Sequence, residues 1–282
     1  MAADIRVITS ADLDVADRIL LAAYGGGSRR HALASYLVLQ PDGWIMTYVD
    51  GAPAGVAGTI NYGPTAYIGL VGVDPAYQRR GLALAMMRHL LAWLAARGNP
   101  VVLLDASVAG APLYERLGFV DDEQTIAFVR GDHVHQPELQ SAHVGTLAAA
   151  DLPAVVAFDA PIFGAARAAV LGQLYAEAPA RALVMRDQAG QISGYLFAQP
   201  RTIGPWAART PAEAEALLGA ALALAYDQGP SVMAPGANPH VAGLLQRYGF
   251  SPSRALRHMR LGGDGPVGRR GQLYGLASFA IG

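Results

Sequence analysis

The chain has 282 residues, 52% hydrophobic and 15% charged, with 21 basic and 22 acidic side chains giving a formal charge of −1. That length suits two domains of about 140 residues better than one, and the apolar content excludes global disorder. The balanced charge offers no footprint for nucleic acid or an anionic membrane, and the absence of cysteine excludes a disulfide scaffold, a thiolate metal site and a cysteine nucleophile.

Residues 1–17 contain Asp4, Arg6, Asp12, Asp14 and Asp17, which break any apolar leader core. Residues 12–24 place Leu13, Ala16, Ile19, Leu20 and Ala23 at helical spacing and run into Gly25-Gly26-Gly27, a natural helix stop. A second helix is predicted over 29–39. Residues 43–49 and 54–62 form a predicted hairpin around Asp50-Gly51, and 67–73 is a third apolar strand. A long helix follows over 81–97, a buried strand over 101–105 and a short helix over 110–117. The order β-α-α-β-β-β-α-β-α-β argues for a mixed α/β sheet with helices on both faces. The longest strongly apolar stretch, 216–226, is closed by Glu215 and Asp227 and falls short of the roughly 20 residues a membrane-spanning helix needs. A soluble, cytoplasmic protein with no membrane or nucleic-acid partner is expected.

The second half echoes the first. Leu113-Tyr114-Glu115-Arg116-Leu117-Gly118-Phe119 returns as Leu244-Leu245-Gln246-Arg247-Tyr248-Gly249-Phe250, and Ala11-Asp12-Leu13 as Ala150-Asp151-Leu152. Duplication is expected, with a boundary in the polar stretch 131–141 that separates domains 1–136 and 137–282.

The most informative stretch is Val71-Gly72-Val73-Asp74-Pro75-Ala76-Tyr77-Gln78-Arg79-Arg80-Gly81-Leu82-Ala83. A strand ends, Pro75 turns the chain and a helix opens. Its first N–H groups have no intrahelical partner and sit at the positive end of the helix dipole. Gly81 lets an anion approach the backbone, Ala83 is small for the same reason, and two arginines add charge at the rim, so a diphosphate is the natural guest. Neither the P-loop nor the Gly-x-Gly-x-x-Gly pattern is present.

These residues resemble the acetyl-CoA signature of the GNAT N-acetyltransferase superfamily. Gln78, Gly81 and Ala83 fill its Q/R-x-x-G-x-G/A positions after a Val73–Pro75 turn, and residues 113–119 are similar to its Tyr-containing segment ahead of Gly-Phe. The resemblance implies two tandem α/β (α+β) domains, each with a mixed, largely antiparallel sheet. It implies acetyl-CoA as cosubstrate, with its pantetheine along Leu70, Val71 and Val73 and its pyrophosphate on the amides of Arg79, Arg80, Gly81, Leu82 and Ala83, beside Gln78. A primary amine of a small-molecule or amino-acid-like acceptor would attack the thioester directly, without a covalent enzyme intermediate. Tyr114 stands where the superfamily often carries its general acid. The strand over 67–73 has no carboxylate, so Asp105 at the end of the next strand is the candidate base, with a capping role ahead of Ser107 as the alternative. Ser107 also stands where many relatives have asparagine. A non-catalytic acyl-CoA sensor and a protein N-terminal acetyltransferase stay open as alternatives, as do a monomer and a homodimer.

Three other features invite a role and are expected to have none. Gly25-Gly26-Gly27-Ser28 is a helix stop, Arg29 and Arg30 are a solvated helix face, and His133, His135 and His143 lack the spacing of a metal site. In the second half, aligning Gly72 with Gly204 sets Thr210-Pro211-Ala212-Glu213 against residues 78–81 as a capping box. Leu245 replaces Tyr114. The second half should therefore lack the anion cradle, leaving Trp206 or the apolar tail to line a pocket.

Overall fold

Asp50 and Gly51 both take positive φ, 50° and 77°, and so close the expected two-residue hairpin with the twist that favours antiparallel strands. The computed structural model describes residues 4–131, 143–226 and 228–282. The expected boundary at 131–141 and the histidines His133 and His135 fall almost wholly outside these residues. The chain divides into two compact units, one of residues 1–104, 261–263 and 281, the other of 105–260, 264–280 and 282.

In the first unit β1 (Asp4–Val7) is followed by α1 (Leu13–Tyr24), α2 (Arg30–Leu39), β2 (Trp44–Val49), β3 (Ala52–Asn61), β4 (Thr65–Val73), α3 (Leu82–Ala95) and the start of β5 (Val101–Ala106). The sheet order is β1-β2-β3-β4-β5. The first three pairings are antiparallel and β4–β5 is parallel. Helices cover both faces. A Cβ on Gly72 would meet Leu20 and Ala23 of α1, whereas one on Gly55 would meet Met86 of α3. Gly55 pairs with Val73, and neighbours along a strand face opposite ways. The absent side chains at Gly72 and Gly55 thus let α1 and α3 close down on the sheet from opposite sides.

The second unit continues with α4 (Ala111–Arg116), β6 (Val120–Arg130), β7 (Val144–Thr146), α5 (Leu152–Phe163), α6 (Ala168–Glu177), β8 (Ala182–Arg186), β9 (Ile192–Ala198), β10 (Ile203–Ala208), α7 (Pro211–Leu222), β11 (Ser231–Pro235), α8 (Val241–Arg247), β12 (Phe250–Leu261) and β13 (Leu273–Gly275). From β7 to β12 the element order repeats β1 to β6, strand for strand and helix for helix. One sheet runs β13-β10-β9-β8-β7. The other places β6 between β12 and β11, antiparallel to both. The last strand of the first repeat therefore pairs on both edges with strands of the second, so packing cuts the chain elsewhere than the repeat does.

Trp206 is fully buried here with its ring 5.0 Å from that of Tyr274. It packs in the core with Leu217, Leu244 and Phe250 rather than lining a pocket, because β10 is buried along its whole length. No helix among the described residues is long and apolar enough to cross a membrane.

Thr210 accepts the Glu213 N–H, and Glu213 accepts the Thr210 N–H in return at 2.9 Å. Thr210→Ala is expected to cost about 1 kcal/mol, read as a lower urea midpoint with an unchanged slope.

Candidate active site

β4 and β5 are paired only through Thr65–Val101, Ala66–Val102 and Tyr67–Leu103, and their ladder ends there. On the other edge of β4 the register with β3 shifts between Val56 and Gly58. Leu70 lies in this irregularity at φ 53°, a conformation that costs a leucine about 1–2 kcal/mol. Such a bulge re-aims the backbone. Leu70, Val71 and Val73 are half-buried on the stretch of β4 beyond the β5 ladder, where backbone groups can receive an extended ligand as an added strand.

The turn after β4 is held by side chains. Asp74 accepts the Ala76 N–H at 2.9 Å, and Gln78 Nε2 donates to the Val73 carbonyl at 3.0 Å. The Gln78 side chain is thus committed to the turn, and its backbone N–H donates to the Pro75 carbonyl. Arg79 and Gly81 take φ 63° and 79°, the left-handed conformations found where backbone amides curl into anion-binding nests. Gly81 is the N-cap of α3, and no side chain caps the helix. A Cβ there would meet nothing within 4 Å, so glycine is favoured by its φ of 79° and the space before it is open. Leu82 is buried and anchors the first turn, while Arg79 and Arg80 are exposed, the latter with its guanidinium 5.5 Å from the Tyr77 ring centroid. The residues expected to form the cradle, 78–83, therefore all fall within one unit.

The second repeat differs as expected, with one correction. Helix starts pair Gly81 with Thr210, both N-caps, rather than Gly81 with Glu213, because the connection into α7 is three residues shorter than the alignment on Gly72 and Gly204 assumed. The physical contrast stands: the N-terminus of α7 is satisfied by its own capping box, and that of α3 is bare.

Tyr114 and Asp105 belong to the second unit. Tyr114 is 8% exposed, with its ring edge-on to Phe119 at 5.9 Å. Burial pushes its phenol up to about 12, so it holds its proton at neutral pH. The Asp105 side chain is fully enclosed. Its Oδ1 accepts the Thr125 hydroxyl at 2.6 Å and lies 3.1 Å from His258 Nδ1. Asp105 is thus an enclosed carboxylate rather than an exposed one. Sequence reasoning missed His258 and Thr125, since nothing local links β12 and β6 to the end of β5. Gly25 and Gly26, at φ 66° and 74°, stop α1. Arg29 donates back to the Gly25 and Gly27 carbonyls, and Arg30 pairs with Asp14 in solvent. No group of three metal-ligating side chains occurs among the described residues.

A model of the acetyltransferase (GNAT) family matches residues 15–119, and a model of an acetyltransferase (GNAT) domain matches 155–275. The chain belongs to the GNAT acetyltransferase family. It carries two GNAT domains in tandem, in the mixed, largely antiparallel α/β architecture expected. The uncharacterized N-acetyltransferase YitH of Bacillus subtilis is 32% identical over 151 residues, 52% of this chain and 51% of YitH. The mycothiol acetyltransferase of Acidothermus cellulolyticus is 38% identical over 96 residues, 32% of this chain and 29% of that enzyme. The chain thus spans about half or less of the length of these relatives. A candidate acetyltransferase of Pyrococcus horikoshii has a solved structure that superposes with a TM-score of 0.86 at 26% identity, covering 100% of this chain and 96% of that one. A GCN5-related N-acetyltransferase from Sphaerobacter thermophilus shares the fold, with a TM-score of 0.72 at 18% identity over 94% and 98% of the two chains.

Proposed function

We propose that this protein transfers an acetyl group from acetyl-CoA to a primary amine of a small-molecule or amino-acid-like acceptor. The observation that carries this reading is the bare, dipole-positive start of α3 behind Gly81, beside a strand freed from its neighbour beyond Tyr67. The first suits an anion and the second an extended backbone-like partner, and acetyl-CoA offers a diphosphate and a pantetheine joined end to end. The first repeat, 1–136, would supply this cradle and the second, 137–282, would not.

In the reaction the amine nitrogen bonds to the thioester carbonyl carbon and the carbon–sulfur bond breaks, releasing the CoA thiol. Tyr114 donates its phenolic hydrogen to the departing sulfur, and burial keeps that hydrogen in place. Proton removal from the amine is assigned to Asp105, whose carboxylate accepts the Thr125 hydroxyl and lies 3.1 Å from His258 Nδ1. General acid–base assistance is typically worth about 10²–10⁴-fold.

Release of free thiol from acetyl-CoA across an amine panel tests the activity; tight acetyl-CoA binding without acceptor-dependent thiol release would overturn it. Tyr114→Phe is expected to lower turnover at least about tenfold with acetyl-CoA affinity nearly unchanged. In the parent enzyme, turnover should show no alkaline decline assignable to this phenol with a midpoint below about 10, the ordinary tyrosine value. Unchanged turnover in Tyr114→Phe would make Tyr114 a packing residue.

A further inference from the structure

A cavity of about 290 Å³ lies wholly within the second unit and has no part in the chemistry above. Its floor is apolar, formed by Ala157, Phe158 and Ile162 on α5 with the ring of Pro161. Two arginines and an amide stand at its wall: Arg209, Arg269 and Gln272. Arg209 is matched by Asp187 at 2.9 Å and lies over the Phe158 ring, 5.9 Å from its centroid. Arg269 has no such match: its guanidinium is exposed and meets no acidic side chain among the described residues.

Arg269 is nonetheless held in place. Its N–H donates to the Ile162 and Pro161 carbonyls at 2.9 and 3.2 Å. Before it, Gly268 packs so closely on α5 that a Cβ would fall 2.3 Å from the Ile162 oxygen. After it, Arg270 is buried in an ion pair with Glu123. A fixed backbone thus presents an unmatched guanidinium, whose planar fork suits a carboxylate, above a surface that gains from burying a hydrocarbon. Gln272 adds a second donor.

We infer that this cavity binds a small carboxylate carrying an aliphatic body, held by Arg269 and Gln272 with its apolar part on Phe158 and Ile162. A free short-chain acid and an amino acid share this chemistry. Calorimetry on the full chain without acetyl-CoA tests it with 4-methylvalerate and L-leucine as probes, and with the neutral amide 4-methylvaleramide and acetate as controls. At least one probe should bind saturably, and the amide and acetate should bind at least about tenfold more weakly, having lost the charge or the apolar body. A preference for 4-methylvalerate identifies a free-acid site, and a preference for L-leucine an amino-acid site. Arg269→Gln, which keeps the anchored backbone, should weaken the better probe at least about tenfold with little change in melting temperature. Saturable binding by neither probe, or equal binding by Arg269→Gln and the parent, would overturn the inference. An amino acid bound at the acceptor site of the transferase would give the second of these results.

Discussion

Gly81→Asp is expected to raise the acetyl-CoA dissociation constant by about 100-fold or more while the protein stays folded. Gly81 is the N-cap of α3 at φ 79° with open space before it. Aspartate tolerates that conformation better than most residues and is among the preferred N-caps. It would satisfy from within the amides that a pyrophosphate needs, and would set a negative charge where the ligand's charge must lie. At a separation of about 4 Å, and an effective dielectric near 20, each such repulsion is worth about 4 kcal/mol before screening by salt. Gly81→Asn has the same shape without the charge and should lose markedly less, so the ratio of the two reports the electrostatic part. Calorimetry for affinity and a thermal melt for folding measure both. If Gly81→Asp binds as tightly as the parent, the pyrophosphate does not lie at this helix.

The second large effect concerns stability. Asp159→Ala should cost about 3–5 kcal/mol, the penalty of leaving a buried charge without its partner. Arg167 is 1% exposed and Asp159 fully buried. The guanidinium meets the carboxylate through two bonds, Nε at 2.8 Å and Nη2 at 3.0 Å. Tyr195 donates its hydroxyl to the same carboxylate at 2.5 Å, Arg167 lies 4.0 Å from the Phe163 ring centroid, and its Nη1 donates to the Gly282 carbonyl. Burial, and then the neighbouring Asp159 charge, raises the Tyr195 phenol well above its ordinary value. Urea unfolding of Asp159→Ala should show a strongly lowered midpoint. The double variant Asp159→Leu with Arg167→Met should recover part of the loss, because no charge is then left unpaired. A single-variant cost below about 1 kcal/mol would mean that water enters and solvates Arg167.

The helices over 13–24 and 82–95, the hairpin at Asp50-Gly51 and the uncapped helix start at Gly81 were legible because each is a short-range device: apolar spacing, a turn pair, a glycine at a helix start. The N-cap correspondence of Gly81 and Thr210 was misjudged, since a loop length carries no periodic signal. Tyr114 was placed on its short helix, but its burial depended on Phe119 and on packing that no local pattern encodes. The bulge at Leu70 had no signal at all, because leucine does not favour positive φ.

By itself the sequence determined the alternation of strands and helices, the duplication and the bare start of α3, all consequences of side-chain period and backbone freedom over a few neighbouring residues. Only the tertiary structure decided that β6 pairs with β11 and β12, that Asp105 is enclosed with Thr125 and His258, and that Arg167 finds Asp159. The strand pairings and the Asp105–His258 contact join residues far apart in the chain, and Arg167 meets Asp159 across the turn between two helices; in each case the hydrogen bonds and charges are matched only once the intervening segments have folded.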